Sequence, residues 1–270
     1  MTLLGNLSRG TIAVWRRNAD VFFKTWRTNF LPSIFEPLLY LIAMGLGFGA
    51  LLDAAGGIEY RGQQMEYIRF LAPGLIAISA MYGGFFECTY GSFVRMHYQK
   101  TFDAIVATPV SIEDVIAGEI LWGATKSLVN SAIVLMVIIL MGWLLFPAVL
   151  FTSATVLLVL PVIFLAGLMF SAIAMIFTAL VPNIDSFNYP FFLLITPMFL
   201  FGGTFFPISQ LGAAEPFAYT LPLTHASLLI RDFSLGLTGT IDVLAVVYML
   251  VLTALTFYPA VYLMRRRLVK

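Results

Sequence analysis

Apolar residues fall into six long runs divided by short polar breaks: Phe30–Leu52, Phe70–Val94, Ser127–Phe146, Leu150–Val181, Tyr189–Phe206 and Ile241–Met264. A helix of about 20 residues, rising 1.5 Å per residue, crosses a hydrocarbon core about 30 Å thick. Each run is therefore predicted to span a bilayer. The fourth is longer than it needs to be, which predicts a tilt or a bend at Pro161. Prolines and glycines inside the runs do not forbid helices, because neighbouring spans can satisfy the freed backbone groups. The pattern predicts an all-α integral membrane fold of six transmembrane helices, a single domain over residues 1–270.

Three segments between the runs have their own patterns. Within 1–29, Ile12, Trp15, Ala19, Phe22 or Phe23 and Trp26 recur every three or four positions, while Arg16, Asp20 and Lys24 follow one another on a different face. That spacing predicts an amphipathic helix in the membrane interface, with Trp15 and Trp26 toward lipid and Arg16, Arg17 and Lys24 toward anionic headgroups. A helix packed against protein is the alternative. In the loop 95–126, Pro109 ends a short helix beginning near Thr101. Ser111 followed by Glu113 and Asp114 starts another, with acids over its first turn. Phe102, Ile105 and Val106 are apolar residues stranded among charges there, which favours a docking surface over a plain solvated connector. The segment 207–240 is too apolar for a free loop and too broken by Pro207, Pro216 and Pro222 to span; it predicts a re-entrant helical cap between the fifth and sixth helices.

Composition supports this reading and adds direction. The 270 residues are 60% hydrophobic and 11% charged, with a mean hydropathy of +0.95. Soluble domains carry roughly 25% charged residues. On one side of the alternating loops lie twelve Lys and Arg, on the other three, namely Arg61, Arg69 and Arg231. The positive-inside bias predicts both termini in the cytoplasm, which six spans allow. Arg9, Arg16, Arg17, Lys24 and Arg27 interrupt any signal-peptide core, so no cleavage is expected. The balance of 15 basic and 14 acidic residues gives no indication of nucleic-acid binding. The lone Cys88 excludes an intrachain disulfide and reads as a small packing residue.

Catalytic chemistry is not evident. His97 and His225 fall on opposite sides of the membrane and cannot share a metal; there is no metalloprotease, nucleophile-elbow or nucleotide-cradling glycine motif. No catalytic, cofactor or metal residue is expected in this chain. Two acids lie inside spans, Glu36 and Glu87, both roughly 10 Å from the inner surface at 1.5 Å per residue. They are either gate or pathway groups or are tied to Arg27, Arg95, His97 or free carbonyls. Phe35, Tyr40, Phe48, Tyr82, Phe199 and Phe201 are aromatic candidates for a pathway lining, with packing or lipid contact as the alternative.

Several motifs, in this order, carry a resemblance that runs nearly end to end: Phe70-Leu71-Ala72-Pro73-Gly74; Gly118-Glu119 with Trp122-Gly123-Ala124-Thr125-Lys126; Phe201-Gly202-Gly203-Thr204-Phe205-Phe206-Pro207; Leu221-Pro222-Leu223-Thr224-His225 with Ile230-Arg231; and Arg265-Arg266-Arg267-Leu268. In them the chain resembles the ABC-2 permeases of ABC transporters, most closely the nodulation-factor (lipo-chitooligosaccharide) export permeases. The resemblance implies a bacterial inner-membrane half-transporter that pairs with a second copy of itself and recruits two copies of a separate ATPase, which bind ATP and magnesium. It implies that Thr101, Phe102, Asp103, Ile105, Val106 and Pro109 form the coupling helix that docks on that ATPase. The expected function is export of an amphiphilic or lipid-linked substrate. A multi-pass enzyme acting on lipids and a proton-coupled carrier are the alternatives.

Overall fold

In the computed structural model the described residues are 8–26, 35, 38–145 and 154–269. Helix α1 covers Arg9–Lys24 and α2 Leu38–Ala54. A hairpin follows, β1 Ile58–Tyr60 paired with β2 Gln63–Met65. Then come α3 Tyr67–Tyr98, α4 Thr101–Val106, α5 Ile112–Leu145, α6 Val159–Leu180, α7 Ile184–Phe201, α8 Glu215–Thr220, α9 Pro222–Leu235 and α10 Thr240–Leu268. Five of the described helices, α3, α5, α6 with its preceding 3-10 turn, α7 and α10, are long and apolar enough to cross a membrane; α2 is apolar but shorter. The fold is an all-α membrane fold. The start of the first predicted span, from Phe30, lies outside the described residues.

Local chemistry sets the ends of these helices. Ser8 Oγ accepts the Gly10 amide at 3.0 Å to cap α1. Asp53 Oδ1 takes the Tyr67 amide at 2.8 Å, so the end of α2 caps the start of α3. Ser111 Oγ accepts the Asp114 amide at 3.1 Å at the start of α5, which begins fifteen residues before the run Ser127–Phe146 because Ile112–Lys126 keeps helical spacing while mixing charge into it. Pro161 does not bend the middle of a span. It sits in the first turn of α6, where a missing amide costs nothing, just after the 3-10 turn Ala154–Leu158. Helix α10 ends on Arg265, Arg266 and Arg267, cations suited to the negative end of the helix dipole.

Packing centres on α3. Phe70, Leu71, Ala72, Ile76, Ala77, Ala80, Met81 and Phe85 are completely buried, with α5, α6 and α9 around them. Small residues bring the backbones together. A Cβ on Gly84 would lie 2.8 Å from the Gly167 carbonyl, and one on Gly123 would lie 2.4 Å from Ser171 Oγ and 2.7 Å from Cys88 Sγ. In a membrane, where lipid is as apolar as leucine, such close approach is a main source of helix association. By contrast Met136, Trp143, Leu193 and Leu255 are bare. Apolar side chains facing outward on membrane-length helices are what lipid or a partner helix requires.

The segment after α7 folds into a 3-10 stretch, Ile208–Ala214, then α8 and α9. Helix α9 starts on Pro222 and stops at Gly236, whose φ of 72° is the left-handed C-terminal cap. The hairpin, absent from the helical reading of the sequence, turns through Arg61 and Gly62 at φ 51° and 74°. Two successive positive φ values are the geometry of a tight hairpin turn.

Candidate functional site

On the side carrying most of the basic residues, α4 forms an elbow. Lys100, at φ 54°, breaks the chain direction ahead of it. Phe102 is completely buried and anchors the elbow, Ile105 is half-buried, and Asp103, Ala104, Val106 and Pro109 are exposed. The apolar trio is therefore not stranded together as the sequence pattern had it: Phe102 turns inward and Val106 outward. Thr108 Oγ1 donates to the Ile105 carbonyl at 2.6 Å and tightens the turn. Arg17 Nη2 reaches Thr101 Oγ1 at 3.5 Å, joining elbow to α1.

Behind the elbow, ion pairs join α3 to α5, and a hydrogen bond from Asn18 adds α1. Glu87 Oε2 accepts from Lys126 Nζ at 2.6 Å, and Oε1 meets Arg95 Nη1 at 2.7 Å and Trp122 Nε1 at 3.0 Å. Glu87 lies where α3 winds into π turns, Glu87–Gly91 and Val94–Tyr98. Gly91 leaves the carboxylate room, since a Cβ there would stand 2.9 Å from Oε1. Glu119, completely buried, binds Arg95 Nη2 at 2.5 Å, Ser92 Oγ at 2.6 Å and Asn18 Nδ2 at 2.7 Å. Two acids are thus matched by two cations in a largely buried site, with hydrogen bonds filling the remaining lone pairs.

Helix α1 lies along α5 rather than presenting one aromatic face to lipid. Val14, Asn18 and Phe22 are buried, Phe22 packs edge-on against Trp122 at 5.5 Å, and Trp15 Nε1 donates to Thr125 Oγ1 at 2.9 Å. Trp15 thus points to protein, whereas Trp26, Arg16 and Lys24 are exposed. Gly118 permits the approach: a Cβ there would stand 2.7 Å from Val14 Cβ. Asp114 ties down the start of α1 through Ser8 Oγ at 2.7 Å and Thr11 Oγ1 at 2.8 Å, and Arg265 of α10 reaches Glu113 at 2.9 Å. Burial and the nearby Arg95 lower the basicity of Arg17.

Aromatic rings form a seam between α3 and α7. Phe199 stacks on Tyr82 at 6.3 Å and meets Tyr40 at 6.0 Å and Phe205 at 5.0 Å. Tyr82, Phe86 and Tyr90 follow at successive helical turns, 5.3 Å and 5.9 Å apart. Phe191 and Phe187 face them from α7, at 5.8 Å from Phe86 and 5.1 Å from Tyr90. Of the pathway candidates, Tyr40, Tyr82 and Phe199 converge. Phe201 instead faces Phe217 at 6.2 Å, Phe48 faces Tyr67 at 5.6 Å, and Phe35 is exposed. Glu36 and Arg27 lie outside the described residues. Among the partners weighed for Glu87, Arg95 is present and His97 is not, stacking instead on Phe93 at 5.2 Å.

At the opposite end, the hairpin clamps α9. Tyr60 Oη donates to Asp232 at 2.8 Å, and one Arg61 nitrogen serves both Asp232 and Asp242, the latter at 3.2 Å. Burial and the neighbouring Asp242 push the Asp232 carboxyl up to about 7, and burial pushes Tyr60 up to about 12. Arg231 is buried with its guanidinium 3.8 Å over the Phe70 ring, donating to the Phe70 and Gly203 carbonyls at 3.0 and 2.9 Å. Gly74 makes room for that crossing, since a Cβ there would lie 2.7 Å from the Thr204 carbonyl. His225 stacks on Tyr248 at 3.8 Å. Among the described residues no group of three or more His, Cys, Asp or Glu could hold a metal.

Membrane-length helices, an ion-paired clasp at one end and a clamped helical segment at the other define a polytopic helical membrane protein whose chemistry is positional. The ABC-2 type transporter family profile matches residues 9–235, and the chain belongs to that family: it is a transporter permease. It is 35% identical to nodulation protein J of Sinorhizobium fredii over 258 residues, 95% of this chain and 93% of the relative. To nodulation protein J of Rhizobium meliloti it is 36% identical over 258 residues, with the same coverage. The Escherichia coli inner membrane transport permease YadH is 24% identical over 234 residues, 86% of this chain and 84% of the relative.

Sequence reasoning singled out Glu87 and missed most of what holds it. Glu119, Trp122 and Lys126 lie on one stripe at i, i+3 and i+7 of α5, and Glu87, Gly91 and Arg95 at i, i+4 and i+8 of α3. Those spacings carry a signal that the two stripes are polar seams. No signal for Asn18 or Ser92 exists in spacing alone.

Proposed function

We propose that this permease is the membrane subunit of an ATP-driven exporter of an amphiphilic or lipid-linked substrate, a single transmembrane domain acting as a pair with a second copy. Two copies of a separate ATPase, carrying the ATP and magnesium, dock on the elbow Thr101–Pro109. The observation that carries this reading is the elbow itself: exposed Asp103, Ala104 and Val106 ride on the buried Phe102, in a short helix that follows directly on α3, which carries Glu87 and Arg95 of the clasp. A push on the elbow reaches α3 and α5, which hold Glu87, Arg95 and Glu119, and α1, whose Asn18 donates to Glu119. The aromatic seam of Tyr40, Tyr82, Phe86 and Phe199 offers an apolar, stacking surface suited to an amphiphile. The basic side, with both termini, faces the cytoplasm of a bacterial inner membrane, and α8 and α9 form a re-entrant cap at the outer mouth. The resemblance to nodulation-factor export permeases favours a lipo-oligosaccharide, and lipids contact the bare apolar faces.

The test is energetic. Inverted membrane vesicles containing the chain and its ATPase should take up a fluorescent lipid-linked oligosaccharide on addition of ATP, and an ionophore that collapses the proton gradient should leave uptake unchanged. Uptake that follows the gradient and ignores ATP would make the chain a proton-coupled carrier. A covalently altered lipid without transport would make it an enzyme.

A further inference from the structure

Between the ends of α6 and α10 lies a cleft of about 330 Å3, walled by Leu180, Val181, Pro182, Leu263, Arg266 and Arg267. Arg267 is fixed in place. Its Nη1 donates to the Thr178 carbonyl at 2.7 Å and the Val181 carbonyl at 2.6 Å, capping the end of α6, and its guanidinium sits 5.5 Å from the Phe93 ring centre. Neither Arg266 nor Arg267 meets a carboxylate among the described residues, whereas Arg265 beside them pairs with Glu113. Arg266 makes no hydrogen bond among them either, and it is exposed. Two cations without counter-ions therefore stand at the mouth of a cleft whose other walls are apolar. The apolar wall continues on the outside of the bundle, where Leu180 is 60% and Tyr262 51% exposed.

We propose that this cleft binds one anionic phospholipid, its headgroup phosphate on Arg266 and Arg267 and an acyl chain along Leu180 and Leu263. Charge complementarity selects the anion, because a guanidinium at a helix end gains from a phosphate what it lacks in carboxylates. The apolar wall selects a lipid over a soluble anion, since free phosphate leaves Leu180 and Leu263 uncovered. An acidic protein surface would satisfy the arginines but would have to reach past the end of α6 into the level of the bilayer. That the lipid belongs to the cytoplasmic leaflet rests on the orientation proposed above; that the cleft takes an anionic lipid does not.

The experiment places the full chain in phosphatidylcholine nanodiscs, adds phosphatidylglycerol, and counts tightly held lipid by native mass spectrometry after release. Wild type is expected to retain phosphatidylglycerol, Arg266→Ala to bind it about fivefold more weakly, the worth of one basic side chain near an anionic headgroup, and Arg266→Lys to keep most of the binding. Arg9→Ala, which removes an exposed cation at the start of α1, should retain lipid as wild type does. Equal retention by wild type and Arg266→Ala overturns the site, including the case in which that variant instead loses its ATPase partner. An equal loss in Arg9→Ala would show diffuse surface attraction, and displacement by inorganic phosphate would show a free-anion site; either also overturns it.

Discussion

Glu87 and Lys126 meet at 2.6 Å across two membrane helices, with Arg95 on the second oxygen of the same carboxylate at 2.7 Å. The carboxylate is almost wholly buried while Lys126 keeps some access to solvent. Removing one partner of a buried pair strands the other charge, which costs about 3–5 kcal/mol. Glu87→Gln is therefore expected to lower resistance to unfolding in detergent by about that amount, and Lys126→Met by less, because Arg95 still serves Glu87. A double-mutant cycle on these two positions should show strong coupling. Additive losses would separate the residues and remove the clasp as a mechanical unit.

The elbow separates two effects that a contact surface alone would merge. Phe102 is completely buried, so Phe102→Ala should cost about 3–5 kcal/mol of stability. Asp103 is exposed, so Asp103→Arg should leave thermal stability unchanged and reduce recovery of the ATPase with the tagged chain. Thermal unfolding and co-purification, measured on the same preparations, check both. Unfolding caused by Asp103→Arg would show that the elbow is packed on both faces.

Contact between α1 and α5 depends on the absence of a side chain. A Cβ at Gly118 would stand 2.7 Å from Val14 Cβ and 2.8 Å from the Thr11 carbonyl, and backbone cannot yield as a flexible side chain can. Gly118→Val should lift α1 and expose Asn18. Placing a cysteine at position 18 and following its labelling by a water-soluble maleimide checks this: slow in the parent, at least tenfold faster with Gly118→Val, a change that corresponds to about 1.4 kcal/mol of opening.

Asp232 gives the hairpin clamp a pH dependence. Its folded carboxyl is raised by burial and by Asp242 to about 7, above its ordinary value near 4. The folded state then binds the proton more tightly than the unfolded state. Its contribution is fully present below about pH 4 and is lost as pH rises through about 7. Thermal unfolding in detergent from pH 5 to 8 should show wild type losing stability relative to Asp232→Asn as pH rises. Parallel curves for the two proteins would mean that Asp232 does not titrate in this range.

How far the sequence carries depends on the range of the interaction. Apolar runs and the lysine and arginine asymmetry are local, so the membrane helices, the short α4 and the Ser111 start of α5 were legible. The overlong run leaves a tilt or a bend at Pro161 as the expectation, because length alone cannot tell a kink from a first-turn proline. The periodicity of α1 alone places Trp15 toward lipid, because a single helix does not reveal that Gly118, a hundred residues later, offers a groove. The hairpin at Arg61–Gly62 has strands of only three residues and lacks an Asn-Gly or Asp-Gly turn, so the sequence carries little signal for it. Clasp pairings such as Glu87–Lys126 and Asn18–Glu119 depend on which faces of three helices meet, and no periodicity within one helix contains that.

The most direct test of the account is to isolate the tagged chain in mild detergent and measure ATP hydrolysis by what comes with it. A separate ATPase recovered in one-to-one ratio, with hydrolysis that falls severalfold on Asp103→Arg while the chain stays folded, is the predicted result. A well-folded oligomer of this chain alone, with no ATPase and no hydrolysis under conditions that preserve membrane complexes, would contradict it.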